Sequence, residues 1–245
     1  MPGRIALRTA GRVLSQLRHD RRTIAMLVVV PTGLLVLLRF VFDSDPALFD
    51  RIAVILLGVF PFVLMFLVTS VAMLRERTTG TLERLLTTPM RKLDLLTGYG
   101  LAFALAAAVQ ATIAVALAYL LLGLDTAGNW WTVVGIAVSD AVLGMALGLF
   151  ASAFASSEFQ AVQFLPALVF PQLLLCGLFW PRDQMVGWLQ AASDVMPLTY
   201  AVDALTSVGN HAEMTGDAWR DLAVVLGCAV AALVLGAATL RRVSR

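Results

Sequence analysis

Residues 75–92 read RERTTGTLERLLTTPMRK, and this stretch decides how the rest of the chain is laid out. It is the long polar interruption in a chain built of apolar blocks, and it holds five of the 18 Lys and Arg residues. A basic segment between two lipid-embedded stretches does not cross a bilayer easily and belongs on the cytoplasmic face. We therefore expect this segment to carry the function.

The composition of the whole chain indicates a polytopic membrane protein. Of the 245 residues, 60% are hydrophobic and 14% are charged, whereas a soluble domain has about 25% charged residues. The formal net charge is only +2, which gives little support to nucleic-acid binding. Cys176 and Cys228 lie inside apolar blocks, where we expect them to serve as small packing residues.

The chain is predicted to form one all-α membrane domain, residues 1–245. Residues 1–22 carry Arg at helical spacing and predict an interfacial helix. Residues 181–210 are too polar to span and too apolar to be a free loop, so we expect re-entrant helices at the outer leaflet. Six apolar stretches are long enough to cross a bilayer. They are residues 24–42, 52–74, 99–122, 132–154, 161–180 and 219–240.

The distribution of basic residues orients these six predicted spans. Fourteen Lys and Arg residues fall in 1–22, 75–92 and 241–245, against four in or near the segments on the other side. Such a bias places basic segments inside the cell. We therefore expect a multi-pass protein with both termini in the cytoplasm.

The sequence contains few of the residues and motifs that an enzyme active site needs. Its only histidines, His19 and His211, fall outside the predicted spans, and G-x-x-x-x-G-K-[ST] is absent. The chain is therefore predicted to be no enzyme, to hold no metal and to bind no ATP through a P-loop. Any energy would come from a partner or from a gradient.

Two polar side chains lie deep within the predicted spans. Asp140 is the one acid well inside a span, and Gln110 should lie at similar depth in the span before it. A hydrogen bond from Asp140 to Gln110, or to another neighbour, is one interpretation. A protonation-linked or substrate-contacting role is the other. In the same span as Asp140, Gly144 and Gly148 have the spacing that allows helices to approach closely.

Within the opening stretch, Gly80 and Thr81 are predicted to begin a helix that Pro89 ends. Glu83 would lie in its first turn, where the helix dipole favours a negative charge. Leucines at i, i+3 and i+4 would share one face; they are Leu82, Leu85 and Leu86. Such a helix could anchor a loop at the membrane surface or fill a groove on a soluble partner.

These residues resemble the signature of ABC-2 type permeases, the membrane subunits of bacterial exporters of the daunorubicin-resistance kind. The pattern is an Arg/Glu cluster, Gly-Thr, an acid, paired apolar residues and a proline. The matching residues are Arg75, Glu76, Arg77, Gly80, Thr81, Glu83, Leu85, Leu86 and Pro89. A second block, LPALVFPQLLLCGLFWPRDQM at 165–185 followed by MPLTYAVDAL at 196–205, is similar to the fifth span and outer re-entrant helices of that family.

The resemblance implies a half-size permease in a bacterial plasma membrane that pairs with a second permease copy, expected as a homodimer, and with two copies of a separate ATP-binding subunit. That partner would bind ATP and magnesium, and this chain would bind no cofactor. The helix at 80–89 would be a coupling helix docked on the partner, and Arg75, Glu76, Arg77 and Leu82 would take part in the coupling. The substrates would be amphiphilic drugs, lipids or similar hydrophobic compounds, which the exporter would move out of the cell.

A substrate path is predicted between the two permeases. The residues expected to line it are Phe62, Met65, Phe66, Asp140, Phe170 and Gln172. Ordinary packing against the second copy or against lipid is the alternative for each apolar residue. For the whole chain, the alternatives are a scaffold or immunity protein acting without ATP, and a gradient-driven transporter that uses Asp140.

Overall fold

The computed structural model describes residues 2–78 and 92–239, and the regular structure within these ranges is helical. The helices are α1 (Pro2–His19), α2 (Arg21–Val41), α3 (Pro46–Thr78), α4 (Lys92–Leu121), α5 (Trp130–Ala151), α6 (Glu158–Phe164), α7 (Phe170–Leu175), α8 (Gly187–Asp194), α9 (Pro197–Asn210) and α10 (Gly216–Thr239). A π-helical turn, Leu165–Val169, joins α6 to α7.

Six helical stretches in the described ranges are long and apolar enough to cross a membrane. They are Thr23–Val41, Pro46–Thr78, Thr97–Leu121, Trp130–Phe154, Glu158–Leu175 and Gly216–Thr239. The prediction of an all-α protein with six spans is therefore confirmed. The second span belongs to α3, which begins at Pro46, six residues before the predicted start at residue 52.

The fifth apolar stretch is interrupted where the sequence places two prolines. Pro166 lies in the π-helical turn, and Pro171 lies at the start of α7. A proline removes one backbone donor and clashes with the preceding turn, so the helix widens locally instead of continuing as a regular α-helix. Pro31 and Pro61, in contrast, lie within continuous α2 and α3.

The spans differ in how much of them the protein itself covers. In α3 and in the stretch that begins with α5, 67% of the most apolar window is buried. In α2 and in the α6–α7 stretch only 17% is buried. Helices α3 and α5 therefore form the centre of the protomer, and α2 and α6–α7 present broad apolar faces outward.

Close contact between α3 and α5 depends on two glycines. A Cβ on Gly144 would overlap the backbone oxygen of Phe62, and one on Gly148 would overlap Phe66 O and Thr69 Oγ1. With the backbones this near, Thr69 Oγ1 lies 3.1 Å from Met145 O across the interface. The predicted role of Gly144 and Gly148 in helix approach is confirmed.

The segment between α7 and α10 folds as a helical hairpin of α8 and α9. Near its tip, Leu198 N donates to Gln172 Oε1 at 3.3 Å, and Ser193 Oγ donates to Leu175 O at 2.8 Å. At the far end of α9, Gly128 N donates to Val208 O at 3.0 Å. Helix α9 packs against α3, α5 and α10, so it lies deeper in the protein than a helix resting on the outer leaflet would.

We expect Gly144→Ala to lower the stability of the protomer. The added methyl group has no room against Phe62, and overpacking of this kind costs about 1–3 kcal/mol. Gly135 on the same helix is the matched control, because its added Cβ meets nothing within 4 Å. The measurement is the thermal unfolding midpoint of each variant in detergent. Equal midpoints for Gly144→Ala and Gly135→Ala would contradict the close contact between α3 and α5.

Candidate functional site at the end of α3

The residues predicted to contact a partner divide into two groups. Those in 79–91 lie outside the residues that the structure describes; they are Gly80, Thr81, Leu82, Glu83, Leu85, Leu86 and Pro89. The predicted coupling helix at 80–89 therefore stays a prediction. Arg75, Glu76 and Arg77 lie in the last turns of α3, immediately before that segment.

Arg75 links α3 to α6 through a bidentate ion pair. Its Nε lies 2.7 Å from Glu158 Oε1, and its Nη2 lies 2.8 Å from Glu158 Oε2. The two side chains are 60% and 52% exposed, so the pair contributes only about 0–1 kcal/mol to stability. Its two parallel hydrogen bonds fix orientation more than they add energy.

Glu76 links α3 to α1 and α4. Its Oε1 lies 3.8 Å from Arg12 Nη2, and the same nitrogen donates to Tyr99 OH at 2.6 Å. The side chains of Arg12 and Glu76 are 34% and 14% exposed, and Tyr99 is buried. Water therefore screens these charges less than those of Arg75 and Glu158, although the 3.8 Å separation is longer than a hydrogen bond.

Arg77 links α3 to the end of α5. Its Nη1 donates to Ser152 O, and Ser152 is the residue that follows the last turn of α5. The final carbonyls of a helix lack partners within the helix and carry its negative dipole end. A guanidinium group at that position satisfies a carbonyl and neutralises the dipole.

Three consecutive residues therefore join one helix end to four neighbours. Successive side chains on an α-helix point about 100° apart, since a turn contains 3.6 residues. Arg75, Glu76 and Arg77 can thus face α6, the α1–α4 pair and α5 respectively. All of these contacts are therefore made from one turn of α3.

The residues predicted to line a substrate path lie mostly inside the protomer. Phe62, Met65 and Phe66 are wholly buried, as is Asp140, and Gln172 is 7% exposed. Phe170 is 48% exposed on the outward face of α7. The path-lining role of these six residues stays a prediction.

The hydrogen bond considered between Asp140 and Gln110 is not formed. Both residues are buried, and neither side chain has a hydrogen-bond partner in the described part of the chain. Asp140 faces α3, where a Cβ on Gly58 would lie 3.2 Å from its Oδ2. Gln110 instead borders a groove with α1 and α2. The sequence indicated their similar depth and left open which way each points.

An ionic cluster on the other side of the protomer was missed from the sequence. Arg182 donates to Asp194 of α8 and to Asp203 of α9. Burial raises the pKa of Asp203, and the charge of Arg182 opposes that rise. Three charges in a half-apolar segment were a usable signal, because partly buried charges need partners. Within residues 2–78 and 92–239 no group of three His, Cys, Asp or Glu side chains is placed to hold a metal.

Comparison with known proteins finds one matching family and several similar proteins. Residues 8–209 match the family described as “ABC-2 type transporter”. The chain is 30% identical over 164 residues to “ABC transporter G family member 20” of Dictyostelium discoideum, covering 65% of this chain and 22% of that protein. It is 29% identical over 144 residues to “Probable multidrug ABC transporter permease YbhR” of Escherichia coli K12, covering 56% and 37% respectively. The matched region is thus well under half of each relative.

We expect the two acidic partners at this site to respond differently to neutralisation. Glu76→Gln should lower the free energy of unfolding by about 1–2 kcal/mol, because it weakens a poorly hydrated charged contact. Glu158→Gln should lower it by no more than about 1 kcal/mol, and this loss should vanish near about 1 M salt. Unfolding by dodecyl sulfate in mild detergent measures both. A larger, salt-resistant loss in Glu158→Gln would contradict the assigned contacts.

Proposed function

Because the chain belongs to the ABC-2 type transporter family, we propose that it is the membrane-spanning permease subunit of an ATP-driven exporter in a bacterial plasma membrane. The observation that carries the proposal is the run Arg75–Arg77, which ties α1, α4, α5 and α6 to the end of α3. That run leads directly into residues 79–91, the segment proposed to meet the ATPase.

The energy would come from a separate ATP-binding subunit, present in two copies. The chain lacks a P-loop motif, so ATP and magnesium would bind to that partner. Leu82, Leu85 and Leu86 would enter a cleft of the partner, with Glu83 and the neighbouring Arg residues at its rim. Closure of the ATP-binding dimer would push this segment, and the Arg75–Arg77 contacts would pass the displacement to the spans.

A second permease copy would complete the membrane part of the transporter. Its support is the outward apolar surface of α2 and of the α6–α7 stretch, each with 17% of its most apolar window buried. In a membrane such faces meet either lipid or another helix. We propose that they meet a second copy of this chain and that the path lies between the two.

The proposed substrates are amphiphilic drugs, lipids or similar hydrophobic compounds. A path lined by Phe, Leu and Met side chains would favour molecules with large apolar surfaces. Phe170 already faces outward. Phe62, Met65 and Phe66 are wholly buried in the protomer and would reach the path when α3 moves. Both termini would lie in the cytoplasm, and transport would be outward.

We expect Leu85→Asp combined with Leu86→Asp to leave membrane insertion unchanged and to abolish co-purification with the ATP-binding subunit. The amount of co-purified ATP-binding subunit should fall by a factor of about ten or more, since buried anchors of an interface each contribute about 2 kcal/mol or more. Glu83→Lys should act in the same direction. Export of a fluorescent amphiphile should stop in parallel.

The matched control replaces another exposed apolar pair by aspartate. Val186 and Val195, which flank α8 outside the six spans, are 64% and 82% exposed, and their replacement should leave the partner bound. Glu213→Lys, in the exposed loop before α10, controls for Glu83→Lys. Undiminished partner retention and export in the Leu85 and Leu86 double variant would contradict the proposed coupling.

A further inference from the structure

A groove with a volume of about 380 Å³ opens between α1, α2 and α4. Its walls are almost wholly apolar and include Leu17 of α1, Leu27 of α2, and Ala106 and Ile113 of α4. Helix α2 covers little of its neighbours at this point, because only 17% of its most apolar window is buried. The groove therefore faces the surroundings of the protomer and not its core.

One charged residue borders this groove. Arg18, in the last turn of α1, is exposed and lines the groove. It forms no ion pair with a carboxylate among the residues that the structure describes. An unneutralised guanidinium beside an apolar groove is complementary to a molecule that has an anionic head and a hydrocarbon tail.

A second groove of similar size lacks a bordering charge. It has a volume of about 420 Å³, lies between α4, α5 and α10, and includes Leu101, Ala104 and Leu233 in its wall. None of its described lining residues is charged. The two grooves thus separate the effect of an apolar surface from the effect of a neighbouring cation.

We propose that the groove between α1, α2 and α4 is a binding site for an anionic phospholipid from the leaflet on the side of α1. One acyl chain fills the groove, and the phosphate contacts Arg18 beside it. The bound lipid joins α1 to α2 and does not depend on the proposed export function.

The test measures lipid retained by the full chain. The protein is reconstituted in vesicles of equimolar phosphatidylglycerol and phosphatidylethanolamine, extracted in mild detergent and analysed by native mass spectrometry. The wild-type protein should retain more phosphatidylglycerol than phosphatidylethanolamine. Ala106→Phe, which fills the groove, should lose it, whereas Ala104→Phe, which fills the second groove, should keep it.

The charge is tested separately. Arg18→Gln should reduce the preference for phosphatidylglycerol about fivefold, the change that one Lys or Arg near an anionic surface confers. Arg8→Gln, an exposed arginine of α1 outside the groove, should leave the preference intact. Because Arg18→Gln adds no bulk, it carries the test even if Ala106→Phe fails to insert, and an unchanged preference in Arg18→Gln would also overturn the proposal.

The proposal is overturned by any of three results. The first is equal retention of both lipids by wild type, and the second is equal retention by Ala106→Phe and Ala104→Phe. The third is loss of a dimer in Ala106→Phe with lipid retention unchanged, which would assign the groove to a second copy of the chain. None of these results bears on partner binding by residues 79–91, so failure here is distinguishable from failure of the export proposal.

Discussion

The close backbone contact between α3 and α5 is the constraint on which the rest of the protomer depends. In lipid, helices gain little from hydrophobic burial and are held by tight packing and hydrogen bonds. Gly144 and Gly148 allow α5 to lie directly on the backbone of α3, and Thr69 adds a polar contact across the same interface. This contact fixes α3 and α5 as the central pair, around which α4, α9 and α10 are placed.

The position of α3 explains why its end is suited to transmit force. A helix anchored along its length moves as a rigid element, and its last turns contact α1, α4, α5 and α6 through Arg75, Glu76 and Arg77. The contact through Glu76 is less hydrated than the exposed pair of Arg75 and Glu158. In the proposed transporter the ATP-binding partner would therefore act on one short segment and move several helices together.

The sequence was sufficient to predict the features that a lipid bilayer requires of every membrane-spanning helix. Span length and hydropathy predicted six spans because every backbone polar group in a bilayer must bond within its own helix. The direction of each side chain could not be read in the same way. Asp140 and Gln110 share a depth but face different neighbours, and Phe62 faces α5. Likewise, only the folded hairpin brings Arg182 to Asp194 and Asp203.

The central claim is that the Arg75–Arg77 contacts make the ends of α1, α3 and α6 one mechanical unit. Ser15 of α1 and Phe159 of α6 are both exposed and can carry spin labels. Double electron–electron resonance spectroscopy then measures the distance between the two labels in the complex with the ATP-binding partner. The account predicts the same separation without nucleotide and with trapped ATP, within the ~1–2 Å of ordinary helix adjustments. It also predicts that Glu76→Gln with Glu158→Gln lets the separation change. A larger nucleotide-dependent change with both contacts intact would contradict it.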